Sequence, residues 1–115
     1  MATTPAPEYT YRGSVLRWVD GDTVDLHIDL GFHMYTDTRF RLYGIDTPER
    51  GAPNYAAAGA LAAELAPVGG EVLAKTYKAA DKYGRWLVEI WAGEKHVNSS
   101  LIDAGLAKPY FGGTK

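Results

Sequence analysis

Three short stretches hold the side chains best suited to chemistry: Asp20-Gly21-Asp22-Thr23, then Arg41 with Asp46-Thr47-Pro48-Glu49, then Asp81-Lys82-Tyr83-Gly84-Arg85. The first two supply carboxylates. Carboxylates converging from two strand ends are hard oxygen ligands for Ca²⁺ or Mg²⁺, and a backbone carbonyl with waters can fill the remaining positions. The second and third stretches each carry an arginine, whose planar fork grips phosphate oxygens through paired, charge-assisted hydrogen bonds. Together they point to metal-assisted chemistry on a phosphate. Singly, each has a plainer reading: Asp-Gly-Asp is a hairpin turn, Asp-Thr-Pro-Glu a turn leading to a helix, and Arg41 a solvated strand residue.

Those residues need a frame to bring them together. From Thr23 to Leu30 the chain alternates, with Val24, Leu26, Ile28 and Leu30 apolar and Thr23, Asp25, His27 and Asp29 polar, the pattern of a half-buried strand. Val15–Val19 precedes it as a second β-rich run, so Asp20-Gly21-Asp22 joins an antiparallel pair. In the run 35–45, Phe40 and Leu42 point to one face while Arg39, Arg41 and Tyr43 point to the other. Between Pro53 and Ala66, the residues Ala58, Leu61, Ala62 and Leu65 recur at helical spacing until Pro67 stops the helix. Runs 71–77 and 85–91 flank Asp81-Lys82-Tyr83-Gly84 as a second hairpin. Asn98 is expected to cap a short helix through Leu101 and Ile102 that ends at Gly105.

Strands, helix, strands and helix, with antiparallel turn signals and no βα repeat, predict an α+β domain built on a β-barrel. At 115 residues the chain has room for one domain. Residues 9–111 are expected to form it, with a flexible leader over 1–8 and a flexible tail over 112–115. The hydrophobic share of 46% and charged share of 23% exclude a wholly disordered or collagen-like chain. Zero cysteines exclude disulfides, thiolate catalysis and cysteine-metal clusters. A net charge of -2 gives no global basic field, so phosphate recognition must be local. His27, His33 and His96 lack metal-ligand spacing and receive no site role. No run is long and apolar enough to span a bilayer, and the opening residues do not form a signal peptide, which favours a cytoplasmic location.

The ordered set Val19-Asp20-Gly21-Asp22-Thr23-Val24, Phe40-Arg41-Leu42, Ile45-Asp46-Thr47-Pro48-Glu49, Asp81-Lys82-Tyr83-Gly84-Arg85 and Val97-Asn98 through Gly105-Leu106-Ala107-Lys108 resembles the staphylococcal nuclease family. The resemblance implies a five-stranded OB-fold barrel with two packed α-helices. It also implies a Ca²⁺-dependent endonuclease acting on DNA and RNA with little sequence selectivity. By the same resemblance, Asp22, Asp46 and the carbonyl of Thr47 hold the metal, and Glu49 activates or orients the attacking water. Arg41 and Arg85 grip the scissile phosphate, and Lys82 and Tyr83 contact nucleotide phosphate. The segment from Glu49 to Tyr55 is shorter than the mobile loop of the best-known members. The expected partners are nucleic acid alone, with no membrane, and the expected state is a monomer. The alternative is a non-catalytic nucleic-acid- or protein-binding module on the same barrel, whose mark would be erosion of the carboxylates or arginines. All five of Asp22, Arg41, Asp46, Glu49 and Arg85 are present.

Overall fold

The structure is a computed structural model that describes Thr4, residues 8–80 and residues 86–110. The expected leader, the tail over 112–115 and the whole Asp81–Arg85 turn, with Lys82, Tyr83 and Arg85, therefore lie outside the described residues, apart from Thr4 and Glu8. In chain order the elements are β1 (Thr10–Asp20), β2 (Thr23–Gly31), β3 (Met34–Leu42), β4 (Ile45–Asp46), α1 (Tyr55–Leu65), β5 (Glu71–Ala80), β6 (Trp86–Ala92), β7 (Lys95–His96), α2 (Val97–Asp103) and β8 (Lys108–Pro109).

Alternation sets the barrel wall. Val24, Leu26 and Ile28 of β2 are buried against Phe40 and Leu42 of β3 and Val88 and Ile90 of β6. Leu30 continues the same face but reaches the end of the barrel, where it is 39% exposed. Strands β3, β2, β1, β5 and β6 pair in that order, and a parallel β3–β6 pairing, Phe40 with Trp86 through Leu42 with Val88, closes the sheet on itself. The result is the OB-fold barrel of five strands with two helices, and closure removes the open edges that invite aggregation. The run expected as one strand over 35–45 is divided, because Gly44 takes φ +79 and lets β4 leave the barrel to pair with β8.

Helix α1 begins at Tyr55 rather than Pro53, after Asn54 in the left-handed region. It lays its alanine face on the barrel: Ala58 and Ala62 are fully buried, with Leu61 and Leu65 packed beside them. The small side chains permit a close approach, and the Trp18 indole N–H donates to the Ala66 carbonyl at 2.8 Å at the helix end.

Helix α2 corrects one expectation. Its N-cap is His96, whose ring accepts from the Ser99 N–H, and not Asn98. Asn98 is instead buried, and its amide accepts from the Ile90 N–H while donating to the carbonyls of Tyr43 and Val88. It thereby stitches α2 to β6 and to the β3–β4 corner. The C-terminus follows expectation. Gly105 at φ +76 donates to the Ile102 carbonyl and Leu106 to that of Leu101, the paired bonds of a Schellman end. This stop turns the chain into β8 and brings Lys108 opposite Asp46. Among the described residues no helix is long and apolar enough to cross a membrane.

Candidate active site

The β1–β2 turn is as tight as a hairpin permits: Asp20 pairs with Thr23, leaving only Gly21 and Asp22 in the loop. A Cβ on Gly21 would lie 2.9 Å from that of Ala58, so the turn nests directly on α1 and only glycine fits. Asp22 is thereby fixed in place. Its Oδ1 accepts from the Thr23 hydroxyl and its Oδ2 from the Thr47 backbone N–H, each at 3.2 Å. The same residue's carbonyl accepts from the Leu42 N–H at 2.8 Å, which ties the turn to the end of β3.

Arg41 alternates away from the barrel interior, yet it is only 7% exposed. That excludes the reading of a solvated strand residue. Its Nη2 donates to Asp46 Oδ1 at 3.1 Å and lies 3.6 Å from Asp22 Oδ2, so one guanidinium nitrogen touches both carboxylates. The Tyr110 ring covers the guanidinium, with its centroid 5.1 Å from Cζ. This contact follows from the β4–β8 pairing, since the Tyr110 N–H donates to the Gly44 carbonyl. Burying an arginine without counter-charge is costly, and two carboxylates with an aromatic face supply the compensation.

Glu49 is exposed and lines an open cleft of about 420 Å³ together with Asp46, Thr47, Leu106 and Lys108. The structure thus brings Asp22, Arg41, Asp46 and Thr47 into one contact network and sets Glu49 beside it. Sequence reasoning gives no specific role to Gly21 or Thr23, which hold Asp22, and does not link Tyr110 to Arg41. The turn chemistry of Asp-Gly-Asp-Thr was the one available signal for the first two. Tyr110 had none, because its contact depends on the pairing of two-residue strands.

The donor set suits a hard divalent cation. One cationic nitrogen of Arg41 already bridges the Asp22 and Asp46 carboxylates, and Glu49 adds a third carboxylate in the cleft beside Asp46. Among the described residues no three acidic or histidine side chains converge as a cage. A cation here would therefore take its remaining ligands from backbone and water, as calcium and magnesium sites do. The Thr47 hydroxyl, buried and without a hydrogen-bond partner among the described atoms, is one more oxygen in this neighbourhood.

Residues 39–115 match the family described as Staphylococcal nuclease homologue. The chain belongs to the staphylococcal nuclease family. It is 35% identical to the thermonuclease of Staphylococcus intermedius over 84% of this chain and 58% of that protein. It is 31% identical to the thermonuclease of Staphylococcus hyicus over 92% of this chain and 62% of the relative. An uncharacterized endonuclease of Escherichia coli O157:H7 is 31% identical over 86% of this chain and 61% of its own length. The chain thus spans about three-fifths of the length of these relatives. Family membership agrees with the barrel and with the order of its motifs.

Proposed function

We propose that the protein is a metal-dependent endonuclease that hydrolyses phosphodiester bonds of DNA and RNA with little sequence selectivity, using Ca²⁺. The observation that carries this reading is the buried Arg41 joining Asp22 and Asp46 at the edge of a cleft that also holds Glu49. The relatives named as thermonucleases and endonuclease support it.

Asp22, Asp46 and the Thr47 carbonyl are the residues that would hold the cation. When bound, it supplies Lewis-acid polarisation of the phosphate and a coordination position for the water. Glu49 accepts the proton of the attacking water on its carboxylate, a general-base contribution of roughly 10²–10⁴-fold. Arg41 neutralises charge on the diester oxygens, and Arg85 serves as the second grip. Together they supply on the order of several kcal/mol of transition-state stabilisation, as arginine clamps do in phosphoryl transfer. Lys82 and Tyr83 contact a nucleotide phosphate. Each of these contacts reads backbone rather than base edges, which is why sequence selectivity should be low. Because protein oxygens form only part of the shell, metal affinity without nucleic acid should sit near the weak end of calcium sites, with a Kd of about 10⁻⁴–10⁻³ M.

A plasmid-nicking assay tests the reading. Supercoiled DNA should convert to nicked and linear forms with Ca²⁺ and stay intact with a chelator. Oligonucleotide binding without cleavage under any divalent cation would transfer the protein to the binding-module class. Comparable turnover in Mg²⁺ and Ca²⁺ would refute the choice of ion.

A further inference from the structure

Beside the site stands a second charged cluster with no part in the chemistry above. Asp20 is the last residue of β1, next to the turn that carries Asp22. Its Oδ1 accepts from the Tyr55 hydroxyl, which anchors the first residue of α1 to the hairpin. Arg50 lies over this pair, with Cζ 5.9 Å from the Tyr55 ring centroid and Nη2 3.9 Å from Asp20 Oδ1. The segment between Glu49 and Tyr55 is folded back by two successive turn bonds, Ala52 N–H to the Glu49 carbonyl and Tyr55 N–H to the Ala52 carbonyl. Gly51 at φ +89 and Asn54 at φ +68 set its sharp direction changes. The loop therefore presents Glu49 to the cleft and Arg50 to the Asp20–Tyr55 platform beside it.

An ordinary rim salt bridge does not account well for Arg50. At 3.9 Å, with 79% of its side chain exposed, the pair contributes little to stability. The local charge gives the arginine another use. Among the described residues, Asp22 and Asp46 hold the buried Arg41, Glu49 lines the cleft beside Asp46, and Asp20 stands at the neighbouring hairpin end, an excess of carboxylates at a site meant for a polyanion. Such a field repels nucleic acid unless exposed cations offset it. Lys108 supplies one at the cleft, opposite Asp46. Arg50, the residue after Glu49, supplies another, its exposed guanidinium lying over the Tyr55 ring.

We infer that Arg50 is a further phosphate contact, engaging the nucleotide next to the bond being cut and giving the site its preference for polymers over isolated diesters. The inference rests on the nuclease reading and names the substrate class of that site. A phosphate approaching Arg50 exchanges a weak contact with Asp20 for a charge-assisted pair with the diester oxygens.

The test compares wild type, Arg50→Ala and Arg50→Lys on a single-stranded oligonucleotide and on bis(p-nitrophenyl) phosphate, which carries one diester. The ratio of kcat/KM for polymer to that for the single diester should fall roughly 3–10-fold in Arg50→Ala. Arg50→Lys should recover most of the loss, since a point charge suffices at an exposed contact. In parallel, oligonucleotide binding is followed against salt in the presence of a chelator. There the slope of log K on log salt should shrink by about 0.7 in Arg50→Ala, the value of one lost contact to a single strand. An equal fall on both substrates, or an unchanged salt slope, would overturn the assignment. If wild type cleaves neither substrate, the nuclease reading fails, and the slope alone still decides whether Arg50 meets a phosphate.

Discussion

Replacing Gly21 by alanine should push the turn that carries Asp22 away from helix α1. The added Cβ would sit 2.9 Å from the Ala58 Cβ, 3.3 Å from the Ala58 carbonyl carbon and 3.2 Å from the Thr47 hydroxyl oxygen. None of these neighbours is the far end of a flexible side chain, and Ala58 is fully buried, so the backbone must give. Overpacking of this kind costs about 1–3 kcal/mol. For a domain of this size that lowers Tm by roughly 4–15 °C. The displacement also moves Asp22 relative to the Thr47 N–H that fixes its carboxylate, so the cation response should weaken in the same variant. Ala58→Gly removes the main collision at about 1 kcal/mol of helix propensity. The double variant Gly21→Ala with Ala58→Gly should therefore be more stable than the two single losses predict, with a coupling of about 1–2 kcal/mol. Urea unfolding of the four proteins measures it. Additivity within about 0.5 kcal/mol would refute the collision argument.

Other substitutions probe other links of the structure. Asn98→Ala removes the side-chain partner of the Ile90 N–H and of the Tyr43 carbonyl, while the Val88 carbonyl keeps the Tyr43 N–H, and should lower unfolding stability by about 2–4 kcal/mol in urea titrations; a loss below about 1 kcal/mol would mean that water or repacking replaces the amide. Glu49→Gln should cut turnover far more than oligonucleotide binding, and Arg41→Lys should also fail because an ammonium loses the fork; a near wild-type rate in either folded variant would show its role to be misassigned. Asp22→Asn should shift the metal titration first, and a normal metal response would remove Asp22 from the ligand set. The Arg39 hydrogen bond holds the Asp25 carboxyl below its ordinary value of 3.8, so its stabilisation is present above that value and is lost as pH falls through the lower folded value. Arg39→Gln should thus narrow the difference in stability between neutral and strongly acidic pH, by a small amount because the pair is largely exposed; an unchanged difference in urea midpoints would show that the pair contributes nothing.

Several features of the fold were legible because they are decided by near neighbours along the chain. The alternation over Thr23–Leu30 named the buried residues of β2, and the spacing of Ala58, Leu61, Ala62 and Leu65 named the packed face of α1. Gly105 marked the end of α2 because only a residue tolerant of positive φ makes that terminus. Asn98 was misread for a related reason: a side-chain amide at a helix start has a local use as a cap, and the sequence holds no sign of the three distant backbone groups that bind it instead. Gly44 escaped notice because a positive φ inside an apparently continuous strand leaves no periodic trace.

The amino-acid sequence by itself determined the long strands, the two helices, the turn at Gly21-Asp22 and the inventory of carboxylates and arginines, since each follows from periodicity or from local turn and helix signals. Tertiary structure decided that Asp22, 25 residues from the Thr47 N–H that holds it, shares one buried guanidinium with Asp46 under the Tyr110 ring. The physical reason is that period-2 patterning states which way Arg41 points but not what lies there. That depends on barrel closure through β3 and β6 and on the α2 terminus returning β8 to β4.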